Sequence, residues 1–229
     1  MALAGLGVLA IWNGIADEAE DDFVAWHVNE HIPERVGVPG FLRGRRYVAL
    51  SGTPKYFNFY ETDGAATLSS RDYLDRLNAP SEWTKRVVRH FRQTSRTVCS
   101  VAASMGLGDG GFIATFRLDA NFGVDLEPDR FRSRIMEALA RAPGVVAIHL
   151  LQGERGFGGE ATAEKALRDR PDETVSWVLL VEAVDAASLR LAISTHVTPE
   201  LVSECGASYG SDDVGIYQLQ FSLARPQLG

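Results

Sequence analysis

Cysteine is almost missing from this chain: Cys99 and Cys205 are the only two in 229 residues, too few and too far apart for a disulfide framework or a four-thiolate zinc site. Missing too is any run of about 18 apolar residues, the length a membrane-spanning helix needs. The opening segment, residues 1–12, is apolar but has no basic flank and no small-residue cleavage site, so it reads as a first strand rather than a signal peptide. Positive charge is in deficit, 23 Lys and Arg against 30 Asp and Glu with a formal net charge of -7. That deficit argues against a phosphate-binding surface and so against a nucleic-acid partner. The nearest approach to a basic patch, Arg43, Arg45 and Arg46, reads as a solvated strand edge. These shortages predict a cytoplasmic protein in a reducing compartment, with no membrane or nucleic-acid partner and a small molecule as its ligand.

What is present has the balance of an ordinary globular protein, 45% hydrophobic and 23% charged, enough for one large domain or two of about a hundred residues. Residues 6–13 are a short apolar run bounded by glycines, a buried strand. Residues 17–36 follow as a helix whose acidic start complements the positive end of the helix dipole, with Pro33 ending or bending it late. Residues 41–50 and 55–62 pair as a hairpin across a turn at 51–54. Helices at 68–77 and 82–93, separated by a break with a fresh N-cap, lead to a fourth strand at 94–105. Strand, helix, strand, strand, helix, strand is the ferredoxin-like order.

After the glycine-rich residues 106–111 the order repeats: strand 112–118, helix 128–141, strands 145–152 and 175–184, helix 186–204 interrupted at Pro199, strand 214–223. Val38-Pro39-Gly40-Phe41-Leu42 is echoed by Ala142-Pro143-Gly144-Val145-Val146, each at a passage from helix to strand. The expectation is an α+β fold of two tandem ferredoxin-like repeats, 1–108 and 109–229, whose antiparallel sheets form an α+β barrel inside one chain. Residues 154–172, with Gly156-Phe157-Gly158-Gly159 and a short charged helix, have no counterpart in the first half and form an insertion, a candidate lid.

The first helix carries the chemistry. At about 100° per residue, Phe23, Trp26, His27, Glu30, His31 and Glu34 fall within about 140° of one face. Buried polar groups cost free energy unless paired, so this face reads as a lined cavity or a buried hydrogen-bonded network. Aligning Phe23 with Phe131 puts Ile135, Ala138 and Leu139 opposite His27, Glu30 and His31, so the second helix is plain core and the site belongs to the first half. Glu30 stands to bond one imidazole and fix its tautomer, with His27 or His31 as the general base. Arg45, Tyr47 or Asn58 on the neighbouring strands would orient a carbonyl or enolate, Glu34 borders the same face, and Trp26 and Trp83 are its apolar walls.

Two other readings compete. His27 and His31 match the H-x-x-E-H zinc pattern, yet a third ligand has no motif and the fold is wrong for such proteases, so no metal is expected. His149 and His196 are candidate haem ligands as well as ordinary core or surface histidines. Residues 153–159 have the glycine of a phosphate loop without its lysine or its strand-to-helix setting. The reading is of a site that works without a cofactor.

The run Trp26-His27-Val28-Asn29-Glu30-His31-Ile32-Pro33-Glu34-Arg35, followed by Val38-Pro39-Gly40-Phe41, resembles the signature of EthD-like proteins in the dimeric α+β barrel superfamily. Tyr73-Leu74, Arg76-Leu77-Asn78, Pro80 and Trp83-Thr84 are similar to a tandem bacterial branch of that group. The resemblance implies the barrel fold and a pocket between the first helix, the second helical region and the sheet, lined by His27, Glu30, His31 and Trp83. For chemistry it implies only a range, from cofactor-free monooxygenases, isomerases, cyclases and dehydratases to haem-binding enzymes and members with no known activity. It also implies a homodimer, although tandem halves satisfy inside one chain what relatives satisfy by dimerising. The functional expectation is a small-molecule enzyme doing cofactor-independent proton transfer on a hydrophobic carbonyl or aromatic compound. A noncatalytic ligand-binding or accessory protein is the alternative, and a haem- or metal-dependent oxygenase ranks third.

Overall fold

The computed structural model describes residues 3–121, 125–157, 159–168 and 172–228. Met1 and Ala2 of the opening segment, and Gly158 and residues 169–171 of the expected insertion, lie outside the described residues.

In the first half, β1 (Gly7–Ile15) lies between β3 (Tyr56–Thr62) and β4 (Phe91–Gly106), with β2 (Phe41–Ser51) beyond β3. In the second half, β5 (Phe112–Ala120) lies between β7 (Trp177–Ala183) and β9 (Val214–Ala224), with β6 (Val145–Gly153) beyond β7. Each half therefore has the expected ferredoxin-like strand order. Pairing of β2 with β9 and of β4 with β6 joins the halves into a closed eight-strand antiparallel barrel. The short β8 (Ala207–Ser208) adds to the end of β5. Closure removes the free edges that an open sheet would expose.

Strand alternation sends one set of side chains into the lumen and the other out to the helices. Trp12, Tyr47, Phe57, Phe59, Leu180 and Tyr217 fill the lumen. There Trp12 Nε1 donates to Thr115 Oγ1 at 3.1 Å, from β1 to the non-adjacent β5. The barrel interior is a packed core.

Outside, the first half carries α1 (residues 17–37), α2 (Arg71–Asn78) and α3 (Glu82–Val88); the second carries α4 (residues 128–139), α5 (Ala186–His196) and α6 (Pro199–Glu204). Ser70, Ser81, Asp185 and Thr198 cap α2, α3, α5 and α6 by accepting from backbone N–H groups in the first turn, the role these residue types favour. Strand β4 begins at Phe91, so residues 91–93, expected as a helix end, extend the ladder to Gly14 and Ile15. The Phe91 ring packs there against Phe23 and Trp26.

The arginines of β2 are not a solvated edge, because β2 is paired on both sides. Arg45 enters the lumen, Arg46 faces α1, and Arg43 bonds Glu61.

Helix α1 is not uniform. A 3-10 turn at Asp17–Ala19 leads to α-helix Glu20–Trp26, then a π turn His27–His31, then α-helix Ile32–Gly37. Pro33 has no N–H to donate and its ring would clash with the preceding turn, so the turn before it is where the helix can widen. The extra residue moves the buried stripe from Trp26 and His27 to His31 and Ile32, then to Arg35 and Val36. Glu30 and Glu34 are rotated to its flanks, where each is only half-buried.

Helix α4 also contains a π turn, Arg132–Met136. Both helices are followed by a glycine in the left-handed region, Gly40 at φ +87 and Gly144 at φ +79, a conformation glycine adopts without the Cβ penalty. In register from those glycines, Phe131 stands where His27 stands, Ile135 where His31 stands and Leu139 where Arg35 stands. The expected alignment of Phe23 with Phe131 is thus one turn out of step. Its consequence is unchanged, since Phe131, Ile135 and Leu139 are all fully buried core.

Candidate functional site

A cavity of about 40 Å³ lies between α1, α2, α3 and the outer face of β1, β3 and β4. Trp26, His31 and Arg35 of α1 form one wall, Tyr60 and Arg96 of the sheet another, and Tyr73 and Leu77 of α2 a third. The described part of the insertion covers it, with Glu164, Lys165 and Arg168 facing inward. The volume holds a few water molecules, well short of the roughly 300 Å³ at which ligand pockets begin.

His31 lines this cavity and is 8% exposed; its ring lies 4.2 Å from Trp26 and 5.3 Å from the stacked ring of His27. Nδ1 of both histidines has no hydrogen-bond partner among the described residues, whereas His27 Nε2 lies 3.3 Å from the Tyr60 hydroxyl. Burial pushes both imidazoles well below their ordinary pKa, reinforced by the charges of Arg46 and Arg35 near His27 and of Arg35 near His31. Both rings are consequently neutral at neutral pH, the state in which an imidazole can accept a proton.

The other expected site residues are dispersed. Glu30 bonds no imidazole: its Oε1 accepts from Ser81 Oγ and, at 3.4 Å, from Thr84 Oγ1, and Thr84 also accepts from Trp26 Nε1 at 3.2 Å. That network staples α1 to the start of α3. Ser81→Ala removes both the cap on Thr84 N–H and the donor to Glu30, and a loss of about 1–2 kcal/mol is expected in urea denaturation, with an unchanged midpoint counting against the network. Glu34 pairs with Arg76 at 3.0 Å and reaches Arg35 at 3.6 Å, at the rim. Asn58 faces the helices and donates to Asn13 Oδ1 at 2.7 Å. Trp83 Nε1 donates to Asp22 and does not line the cavity. Arg45 and Tyr47 point into the lumen, away from the cavity altogether.

Of the named residues, Trp26 and His31 line the space and His27 backs it. Arg35, Tyr60, Tyr73, Arg96 and the insertion residues were not singled out as site residues. Periodicity through the π turn would have found Arg35; no short-range signal marks the others.

The His27 and His31 rings stack with centroids 5.3 Å apart, and no group of three His, Cys, Asp or Glu able to hold a metal occurs among the described residues. Neither candidate haem histidine lines this cavity. His149 is fully buried in the lumen, 2.9 Å from Ser104 Oγ and 3.4 Å from Glu182, while His196 borders an open surface groove.

No family model matches this sequence, and neither does any curated protein. Solved structures do match its fold. An anthrone oxidase-like protein superposes with a TM-score of 0.59 at 12% identity, covering 96% of this chain and 93% of its own. A protein provisionally described as a monooxygenase, from Fusobacterium nucleatum subsp. nucleatum, gives 0.56 at 11% identity with 97% and 96% covered. A haem-binding protein from Thermus thermophilus gives 0.53 at 10% identity with 95% and 92% covered. The chain thus has the fold of the dimeric α+β barrel proteins, and at these identities the likeness is one of fold alone.

Proposed function

We propose that the chain is a small-molecule enzyme whose ligand enters beneath the insertion and is worked on by proton transfer, with neutral His31 as the base. The observation that carries this reading is His31 itself: a buried, neutral imidazole with a ring nitrogen that has no partner among the described residues, on the wall of a cavity under the first half's helices. A structural histidine would be expected to use its hydrogen-bonding capacity inside the fold. The EthD-like resemblance of residues 26–41 supports the same helix as the site, and the names of the structural neighbours favour an aromatic or carbonyl compound. Trp26, Tyr60 and Tyr73 would give such a compound flat apolar walls. The noncatalytic reading draws support from Glu30, which staples helices instead of orienting an imidazole, so that His31 lacks the carboxylate partner of many histidine bases.

A melting screen with small aromatic carbonyl compounds identifies a binder, and NMR in D2O then follows exchange of the proton α to its carbonyl. His31→Asn is expected to keep the binder and slow exchange on the order of 10²-fold. Unchanged exchange removes His31 as the base, and binding without exchange in the wild type supports the noncatalytic reading.

A further inference from the structure

We infer that the cavity takes an anionic small molecule, a carboxylate, and that the Glu164 side chain holds the anion's place until the ligand displaces it. The inference rests on the ligand-pocket reading above but not on the proton-transfer step. Charge around the space is lopsided: Arg35, Arg96, Lys165 and Arg168 face it, against Glu164 as the one carboxylate in its lining among the described residues. Arg168 is answered by Asp172 at 2.9 Å, and Arg35 by Glu164 with Glu34 at 3.6 Å. Arg96 has no carboxylate within ion-pair distance among the described residues: it is 7% exposed, its NH2 donates at 3.1 Å to the Tyr73 hydroxyl, and the charges of Asp172 and Glu164 act on it only from farther off. A buried guanidinium with no ion pair of its own is costly, and its planar fork suits a carboxylate. His31 Nδ1, also buried and without a partner, borders the same space.

Glu164 is placed as a stand-in. It reaches Arg35 from the insertion, a segment the first-half fold does not otherwise require, and its charge also acts on Arg96. Its backbone is held independently of its side chain. Glu164 N–H donates to Leu77 O at 3.0 Å and Ala163 N–H to Asn78 Oδ1 at 3.1 Å, both at the end of α2. The carboxylate can therefore swing out while the insertion stays anchored. An aromatic carboxylate entering in its place would meet Arg35 and Arg96 with its charge, and Trp26, Tyr60 and Tyr73 with its ring. The charge-assisted bonds it gains are those that the carboxylate of Glu164 gives up.

The test is calorimetric titration of the full chain at pH 7.5 with benzoate and with its neutral isostere benzamide. Glu164→Ala is expected to bind benzoate about tenfold or more tightly than wild type, because the competing carboxylate is gone. In that variant benzamide should bind at least about tenfold more weakly than benzoate, and adding Arg96→Met should weaken benzoate about tenfold while leaving benzamide unmoved. Should Glu164→Ala not fold, Glu164→Gln removes the charge at constant shape and the same order of affinities is expected. Benzoate no tighter to the variant than to wild type, or no binding of either compound, overturns the inference. Equal binding of benzamide and benzoate overturns it as well, yet leaves the ligand pocket standing, and His31-dependent exchange is read separately.

Discussion

Arg45→Met is expected to destabilise the protein by about 3–5 kcal/mol, the cost of removing one partner from a buried ion cluster and leaving Glu182 without its arginine. Arg45 is 1% exposed and sits in the lumen between Glu61, at 3.1 Å, and Glu182, at 3.0 Å, both carboxylates fully buried. Burial alone would raise the Glu182 carboxyl. The charge of Arg45, with His149 and the Gly110 N–H behind it, outweighs that and brings the carboxyl down to about 2. A carboxylate held below its ordinary 4.5 contributes stability that is present above that value and lost as pH falls toward 2. With Met at position 45 Glu61 keeps its pair with Arg43, whereas Glu182 keeps its burial and loses its arginine. Urea denaturation at pH 7 measures the loss. The double variant Arg45→Met with Glu182→Gln should recover part of it, since the second change removes a charge that the first left unpaired. A loss below about 1 kcal/mol for Arg45→Met would mean that water or rearrangement reaches the lumen, and would sink the account of a dry ion cluster.

The same cluster explains why the sequence misplaces Arg45 and Tyr47. Period-2 alternation along β2 is legible, and it separates Arg45 and Tyr47 from Arg46 correctly. What alternation cannot say is which face is the barrel's inside, because a closed barrel buries both faces and neither reads as plain apolar. Arg45 finds its partners on β3 and β7, the latter 137 residues away in sequence, and only closure of the barrel brings them together. Fold and element order are legible because they depend on local signals: turn residues, caps, and the repeated Pro-Gly passage ahead of β2 and β6.

The site was half legible for a related reason. A uniform α-helix puts Glu30 and Glu34 on the stripe with His27, and that stripe makes Glu30 the natural partner of an imidazole. The π turn at His27–His31 inserts one residue, takes both glutamates off the stripe and brings Arg35 onto it. Pro33 is the visible hint of a break, but its presence fixes neither the kind of break nor its direction. The insertion was legible as an extra segment without a counterpart in the other half. That Glu164 of this segment meets Arg35 across 129 residues of sequence was not.

The buried histidines make the protein acid-sensitive in a window of their own. Burial holds the folded-state pKa of His27 and His31 well below the ordinary 6.5, so below pH 6.5 the unfolded chain takes up protons that the folded chain refuses. Stability is then fully present above about pH 6.5 and falls as pH drops toward the folded values, at up to about 1.4 kcal/mol per histidine per pH unit. Between pH 7.5 and 5.5 the two together are expected to remove up to about 3 kcal/mol, measured by urea denaturation at each pH. Glu34, raised by burial from 4.5, acts with the opposite sign. The low carboxyl of Glu182 does not begin to titrate in this window. His31→Leu should halve the loss while leaving His27 its contact with Tyr60, and at pH 5.5 that variant should be more stable than wild type. An acid response that His31→Leu leaves intact would place the titrating groups elsewhere and would mean that His31 titrates alike in the folded and the unfolded chain. It would then be open to water and not the buried imidazole described above, so a measurement of stability alone tests the burial of His31 beneath the insertion.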